Sequence, residues 1–379
     1  MVKGRTAKNV GHYNNKLVSQ LLLDNAFSAI EISRQVKLSH TALSLITARL
    51  LEMDLICLAE NAVNEKRTKG GQHVRYTVNK KRTYFLCVNF QHGRESFGLF
   101  DLSGGEIYRE AISSQIVDKE FFDALISNIN KRIEAIGIDK EKIACVSIAI
   151  PGQINVKTGA IIVSSKVDKE LNLKAAFQSE YVHSEITIKN DIIYCCNGSM
   201  IKGEYEYENE SVLFLYIGGG LSCCLVHNGK IVTNSNGFGG EIGMNSVNGD
   251  TRLHEVAEPQ NLITWVKNEF SDDTVNIDNM FTRYSDNKIF CEKVDIITTI
   301  FGTELQNVVN IVGCSTIVFC GEIVKYPEWF YDKLMKIVCD TNYHNGLTYK
   351  FIYSSTNDAM IGQIYLTRLQ ALDCILKQY

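Results

Sequence analysis

The sequence predicts a winged helix-turn-helix head (α+β) joined to a larger α/β body, and three observations lead there. Charge is segregated: residues 1–82 hold 14 Lys and Arg against 6 Asp and Glu, a net of +8, leaving 25 against 37, a net of −12, for the rest of the 379-residue chain. Apolar residues recur at helical spacing from Asn14 to Met53 and are followed by two short β-rich runs. From Tyr84 onward, apolar strand candidates, glycine turns and helical stretches alternate. The length suggests two or three domains rather than one compact core.

Composition narrows the class. With 45% hydrophobic and 22% charged residues the chain has the balance of an ordinary soluble protein. No apolar run approaches the roughly 20 residues a membrane helix needs, and the start, Met1-Val-Lys-Gly-Arg-Thr-Ala-Lys8, is polar. A cytoplasmic protein with no membrane partner is expected. Twelve cysteines spread over this length read as reduced thiols, and the absence of any Cys-x-x-Cys argues against a zinc ribbon. The adjacent pairs Cys195-Cys196 and Cys223-Cys224 read as small buried residues. A basic head on an acidic body suggests a polyanion-binding module joined to something else.

The head takes shape element by element. Asn14 to Asn25 carries Leu17, Val18, Leu21 and Leu22 at helical spacing, and Ser28 to Val36 repeats the pattern with Ile30, Ile32 and Val36. Lys37-Leu38-Ser39 is a short break with Ser39 placed as an N-cap. The third helix, about His40 to Met53, turns Leu43, Ile46, Leu50 and Leu51 inward and His40, Thr41, Ser44, Thr47 and Arg49 outward. A second helix that begins with small polar residues after a tight turn is the arrangement that enters a DNA major groove. Leu55-Ile-Cys-Leu58 and Val74-Arg-Tyr-Thr-Val78 read as strands flanking a basic hairpin tip, where Lys66, Arg67, Lys69 and Gln72 face phosphates or the minor groove.

The body begins with strands at Tyr84–Phe90, Ser96–Leu102 and Glu106–Ile112, followed by a helix at about Lys119–Ile136 and a buried strand, Ile143–Ile150, that runs into Pro151-Gly152. Glu185–Lys189 is the next strand and leads through Asn190-Asp191 into a helix ending near Lys202. Ser211–Ile217 runs into Gly218-Gly-Gly220, Leu221–His227 and Lys230–Thr233 form a hairpin, Thr316–Cys320 precedes Gly321, and a long amphipathic helix follows Asp358. Between these, Gly237 to Glu255 clusters four glycines around Glu241 with Glu255 as a second acid, which allows a sharp turn that presents carboxylates to a small ligand.

Gly239-Gly-Glu-Ile-Gly243 resembles the signature of the ROK family, which comprises bacterial sugar kinases and related transcriptional repressors. The head is similar to the winged helix of ROK repressors, from Leu38-Ser-His-Thr-Ala-Leu-Ser44 to the Gly70-Gly71 pair, although Gln72 stands where that wing usually has Arg, leaving Arg67 or Arg75 as substitutes. The resemblance implies two lobes of the actin-like ATPase fold with ligand in the cleft between them. The expected division is 1–82 for the DNA-binding domain and 83–379 for a sugar-sensing domain, with lobe one at about 83–199 plus a C-terminal helix at about 358–379, and lobe two at about 200–357.

The resemblance also implies site residues. Gly152, Asn190, Asp191, Glu241 and Glu255 fall on positions that bind sugar in the family, and Asp191 matches the catalytic base of its kinases. The nucleotide side departs from the pattern. The first phosphate loop falls on Asn89-Phe-Gln-His-Gly93, with Asn89, Gln91 and His92 replacing an acid and loop glycines, and the second, Gly218-Gly-Gly-Leu-Ser222, has Ser222 for a glycine. The family's zinc-binding His is Met244 here, no cysteine lies between 225 and 290, and neither His254 nor Asp250 restores a set, so no metal or other cofactor is expected. The expectation is a non-enzymatic repressor, a homodimer or tetramer on a double-stranded operator, that senses a small sugar or sugar derivative. A sugar kinase with a DNA-binding head and a ligand-independent dimeric repressor are the alternatives.

Overall fold

A computed structural model describes residues 7–59, 74–113, 116–208, 210–233, 239–340, 349–355 and 358–378. The chain opens with helix α1 (Ala7–Leu21), strand β1 (Phe27–Ser28), helices α2 (Ala29–Val36) and α3 (His40–Glu52), and strands β2 (Ile56–Leu58) and β3 (Arg75–Val78). The first helix begins at Ala7 rather than Asn14, because a polar first turn carries no apolar periodicity to announce it. Strand β1 was not expected. It is two residues long and exists through antiparallel pairing with β3, which also pairs with β2, giving a three-stranded sheet ordered β1-β3-β2. Ser28 then caps α2 in a full capping box with Glu31.

The body's first sheet is built from β4 (Tyr84–Asn89), β5 (Ser96–Asp101) and β6 (Glu106–Ala111), an antiparallel meander. Helix α4 (Lys119–Ile136) crosses to β7 (Ile143–Ile150), which pairs parallel with β4, and a short hairpin, β8 (Gln153–Ile154) and β9 (Ile161–Val163), follows. Helix α5 (Leu173–Glu180) leads to β10 (Glu185–Asn190), parallel to β7, and α6 (Asp191–Ile201) leaves its end. The sheet order is β10-β7-β4-β5-β6.

A second sheet repeats this plan. Strands β11 (Ser211–Gly218), β12 (Gly220–His227) and β13 (Lys230–Ile231) form the antiparallel meander. Strands β14 (Ser246–Asn248) and β15 (Thr251–Arg252) form a small ribbon before helices α7 (Leu253–Ala257), α8 (Pro259–Phe270), α9 (Met280–Tyr284) and α10 (Lys288–Val312). Strand β16 (Thr316–Gly321) pairs parallel with β11, helix α11 (Glu328–Cys339) follows, and β17 (Lys350–Tyr353) pairs parallel with β16. The order β13-β12-β11-β16-β17 matches the first sheet strand for strand.

Helix α12 (Ala359–Lys377) returns to the first sheet and packs on α6, β4 and β7. Its fully buried Gln363 donates to the carbonyls of Val88 (3.1 Å) and Ser147 (2.9 Å), pinning it across both strands. At Gly362 the crossing with α6 is so close that a Cβ would overlap the carbonyl oxygen of Tyr194. The other end of α12 meets the head: Val18, Leu22, Leu50, Ala371, Leu372 and Ile375 belong to one buried cluster. Ion pairs Lys16–Asp373 and Asp24–Arg368, each 2.6 Å, flank it. Among the described residues no helix is long and apolar enough to cross a membrane.

Candidate functional site

Two surfaces carry the residues singled out in the sequence. On the head, Lys37 adopts a left-handed conformation (φ 54°) after α2, and the Ser33 hydroxyl donates to the Leu38 carbonyl at 2.7 Å, so the three-residue break is a fixed turn. Ser39 then caps α3, its hydroxyl oxygen accepting from the Ala42 N–H at 3.2 Å. Helix α3 buries Leu43, Ile46 and Leu50 and leaves Ser39, His40, Thr41, Ser44, Leu45 and Arg49 on the exposed face.

Three expectations about the head need correction. Thr47 is buried, not outward: its hydroxyl donates back to the carbonyls of Leu43 (3.0 Å) and Ser44 (3.1 Å), satisfying itself within the helix. Leu51, expected inside, is exposed, as is Ile30. Arg75 is committed to the head's own scaffold, donating to the Ala26 carbonyl at 2.7 Å and lying 3.4 Å from the Glu31 carboxylate. Lys66, Arg67, Lys69 and Gln72 lie outside the described residues.

The second surface is a cavity of about 490 Å³ between the two sheets, lined by the ends of β8 and β10, the start of α6, strand β12, the 239–245 loop and the end of α10. Asn190 closes β10 and caps α6, its amide oxygen accepting from the Ile192 N–H at 2.9 Å while its amide nitrogen donates to the Gly152 carbonyl at 2.8 Å. Gly152 is required for packing, since at φ 122° a Cβ there would overlap the Val163 carbonyl. Asp191, the first residue of α6, is enclosed enough that burial pushes its carboxyl up to about 7, with the nearby Glu241 charge adding to the effect. Glu241 is raised as well, by burial, against a hydrogen bond from Gln153. Glu241 and Asn190 line the cavity, whereas Asp191 and Gly152 stand next to that wall and are not among its lining residues.

The glycines around Glu241 have a different role from the sharp turn expected of them. A Cβ on Gly240 (φ 83°) would overlap the Cys223 carbonyl, and the Cys223 N–H donates to the Gly240 carbonyl at 2.7 Å. The loop therefore lies directly on β12, and that contact positions Glu241. Glu255 is not brought to the cavity wall. It is exposed and caps α7, accepting from the Arg252 N–H at 3.4 Å. Met244 is half exposed, and His254 contacts the Gly243 carbonyl through Nδ1 at 2.9 Å. Among the described residues no group of three or more His, Cys, Asp or Glu side chains is arranged to hold a metal ion.

The loop expected at the first phosphate position is filled by its own side chains. Buried Asn89 accepts from the Gln91 N–H at 2.9 Å. Buried Gln91 accepts from the Ala359 N–H at 2.9 Å, capping α12, and its amide nitrogen lies 3.3 Å from Cys195 Sγ. His92 bonds Ser165 at 2.9 Å and packs on Gly219 of the second glycine run, where a Cβ would stand 3.2 Å from the His92 Cβ. Glu95 and Lys166 form a buried pair at 2.6 Å behind it.

A model of the ROK family matches residues 94–369. The chain belongs to the ROK family. A xylose repressor from Caldicellulosiruptor bescii is 25% identical over 243 residues, covering 62% of this chain and 59% of the relative, so the match spans less than two thirds of that protein. The structure of a ROK family transcriptional regulator, homologous to the E. coli MLC protein, superposes with a TM-score of 0.74 at 16% identity, covering 97% of this chain and 99% of its own. A ROK hexokinase from Thermus thermophilus matches with a TM-score of 0.59 at 14% identity over 77% of this chain and 100% of its own. These likenesses establish the two-lobed, actin-like ROK body, and the matched span of 97% extends the first of them to the head.

Several cavity residues carried no signal in the sequence. Val308, Ile311 and Val312 come from the end of α10, and Val232 follows β13. Ordinary apolar periodicity cannot tell a ligand wall from a core face, and the fold alone brings these four beside Asn190. Gln153, which bonds Glu241, directly follows Gly152 in the sequence.

Proposed function

We propose that this chain is a ROK-type DNA-binding transcriptional regulator, a cytoplasmic repressor, whose cleft senses a sugar or sugar derivative without phosphorylating it. The observation that carries the reading is helix α12, which packs against α6, the helix that starts at the cavity wall, and against α1 in the head, so that one helix bridges the body and the head. The head, residues 1–82, serves as a winged helix-turn-helix with Ser39, His40, Thr41, Ser44 and Arg49 on its reading face and Lys66, Arg67, Lys69 and Gln72 on its wing. Residues 83–379 serve as the sensor, with Asn190, Asp191, Glu241 and the Gly152 carbonyl at the sugar, and lobes divided as the sheets divide. A homodimer or tetramer would set two such heads on a palindromic double-stranded operator. Ligand binding would favour one lobe arrangement and shift DNA affinity by that preference.

Absence of phosphotransfer is supported by Gln91 and His92, which occupy the loop where backbone amides would approach phosphates. The repressor name of the bacterial relative and the regulator superposition support the DNA partner. The test begins with operator selection from a randomised duplex library, followed by mobility shift on the selected duplex. Replacing Thr41, Ser44 and Arg67 by Ala is expected to abolish specific binding, and unchanged, salt-dependent binding by that variant would remove the DNA assignment. ATP turnover on hexoses that disappears in Asp191→Asn would make the chain a kinase instead.

A further inference from the structure

The cavity is not walled like a site for a free monosaccharide. A hexose carries hydroxyls around its whole rim, and each one buried against carbon without a partner costs roughly 1–3 kcal/mol. Asn190, Glu241 and Asn245 supply polar contacts along one part of the wall. Lys189 and Thr233 add two more polar side chains, and most of the remaining wall is apolar, with Val308, Ile311 and Val312 on one side and Val232, Leu225 and Ile193 among the residues completing it. Its volume, about 490 Å³, lies in the range of roughly 300–1,000 Å³ typical of sites for ligands larger than a single sugar ring. Ile311 is 85% exposed and Val232 55% exposed, large apolar side chains left open to water at the edge of the same cavity.

We infer that the ligand is a glycoside with an apolar aglycone, its sugar ring held at Asn190 and Glu241 and its aryl or alkyl group laid against the wall formed by Val232, Val308, Ile311 and Val312. This rests on the sugar-sensing reading above and specifies its ligand class. A polar ring matched to the Asn190 amide and the Glu241 carboxyl and an apolar group matched to the valine and isoleucine wall fit the two parts of the cavity. A free sugar would satisfy one part only.

The test is calorimetric titration of the full chain with methyl and phenyl β-glucosides and methyl and phenyl β-xylosides. The phenyl compound of the recognised sugar is expected to bind at least about tenfold tighter than its methyl counterpart, the gain that burying one ring face gives. Ile311→Asp and Val232→Asp, at positions exposed enough to accept a charge without unfolding the chain, are expected to bring the phenyl-to-methyl affinity ratio down to about one, and a ratio unchanged in both variants would overturn the inference. Equal affinity of phenyl and methyl glycosides would overturn the inference and leave sugar sensing intact. If none of the four compounds binds, both the inference and the sugar-sensing reading fail.

Discussion

Lys16 and Asp373 are 357 residues apart in sequence and 2.6 Å apart in space, one on the first helix and the other on the last. The pair marks the joint between the head and the ROK body, with Leu372 buried beside it. Both charged side chains keep about a third of their surface in water, so the ion pair orients the joint more than it stabilises it. Lys16→Ala is expected to lower stability by about 0.2–1 kcal/mol, whereas Leu372→Ala is expected to lower it by about 2–5 kcal/mol. Urea unfolding of both variants checks this, and a larger loss for Lys16 would show that charge, rather than the apolar cluster, holds the joint.

Asp191 makes stability depend on pH. Its carboxyl titrates near 7 in the fold against an ordinary value of 3.8, so the folded state binds a proton that the unfolded state has already released between those values. The contribution is fully present below pH about 4 and is lost as pH rises through 7, with the sign of a raised acid. Asp191→Asn is expected to be more stable than the parent at pH 8 by on the order of 2 kcal/mol, with the difference closing toward pH 4. Denaturation curves at four or five pH values decide it, and a difference that does not change with pH would place Asp191 in a solvated environment.

The α6–α12 crossing allows no side chain at Gly362. Gly362→Ala is expected to cost roughly 2–4 kcal/mol, because the added methyl overlaps the Tyr194 carbonyl and approaches the Gly198 N–H at 2.7 Å. Gly11→Ala in α1 is the counterpart, since nothing lies within 4 Å of its Cβ position. There the substitution is expected to stabilise by about 0.5–1 kcal/mol through helix propensity. Opposite signs for the two glycines in a thermal melt would support the crossing as drawn.

Gln91 holds the start of α12. Gln91→Ala leaves the Ala359 N–H buried without its acceptor and is expected to cost about 1–3 kcal/mol. Faster exchange at the first turn of α12, with β4 unchanged, would be the local signature in hydrogen exchange. Loss of protection throughout the body would instead mean that the loop is central to the whole fold.

Most of the body's strands and the head's three helices were legible because each announces itself locally. Ser39 sits ahead of an apolar face, Lys119 to Ile136 is periodic throughout, and Ile143 to Ile150 is a continuous apolar run. What could not be read has a common cause. Strand β1 is two residues whose only reason to be extended is a partner at Arg75 and Tyr76. Thr47 looks like a reading-face residue until its hydroxyl is seen bonded one turn back. Gln91 looks like a damaged phosphate loop, and its role as a cap depends on an amide 268 positions away. Of the site, Asn190 and Glu241 follow from motif order, and Glu255 follows the motif yet faces away. The hydrophobic half of the cavity needs α10 to be folded against β11 before it exists at all.

The shared cluster between head and α12 also sets an order of events during synthesis. Val18, Leu22 and Leu50 are made early, yet the residues that cover them, Ala371, Leu372 and Ile375, come more than three hundred positions later. Until the ribosome has passed Ile375, the head presents uncovered apolar surface and lacks its anchor. A nascent or truncated chain that lacks α12 therefore leaves Val18, Leu22 and Leu50 without part of the cluster that buries them.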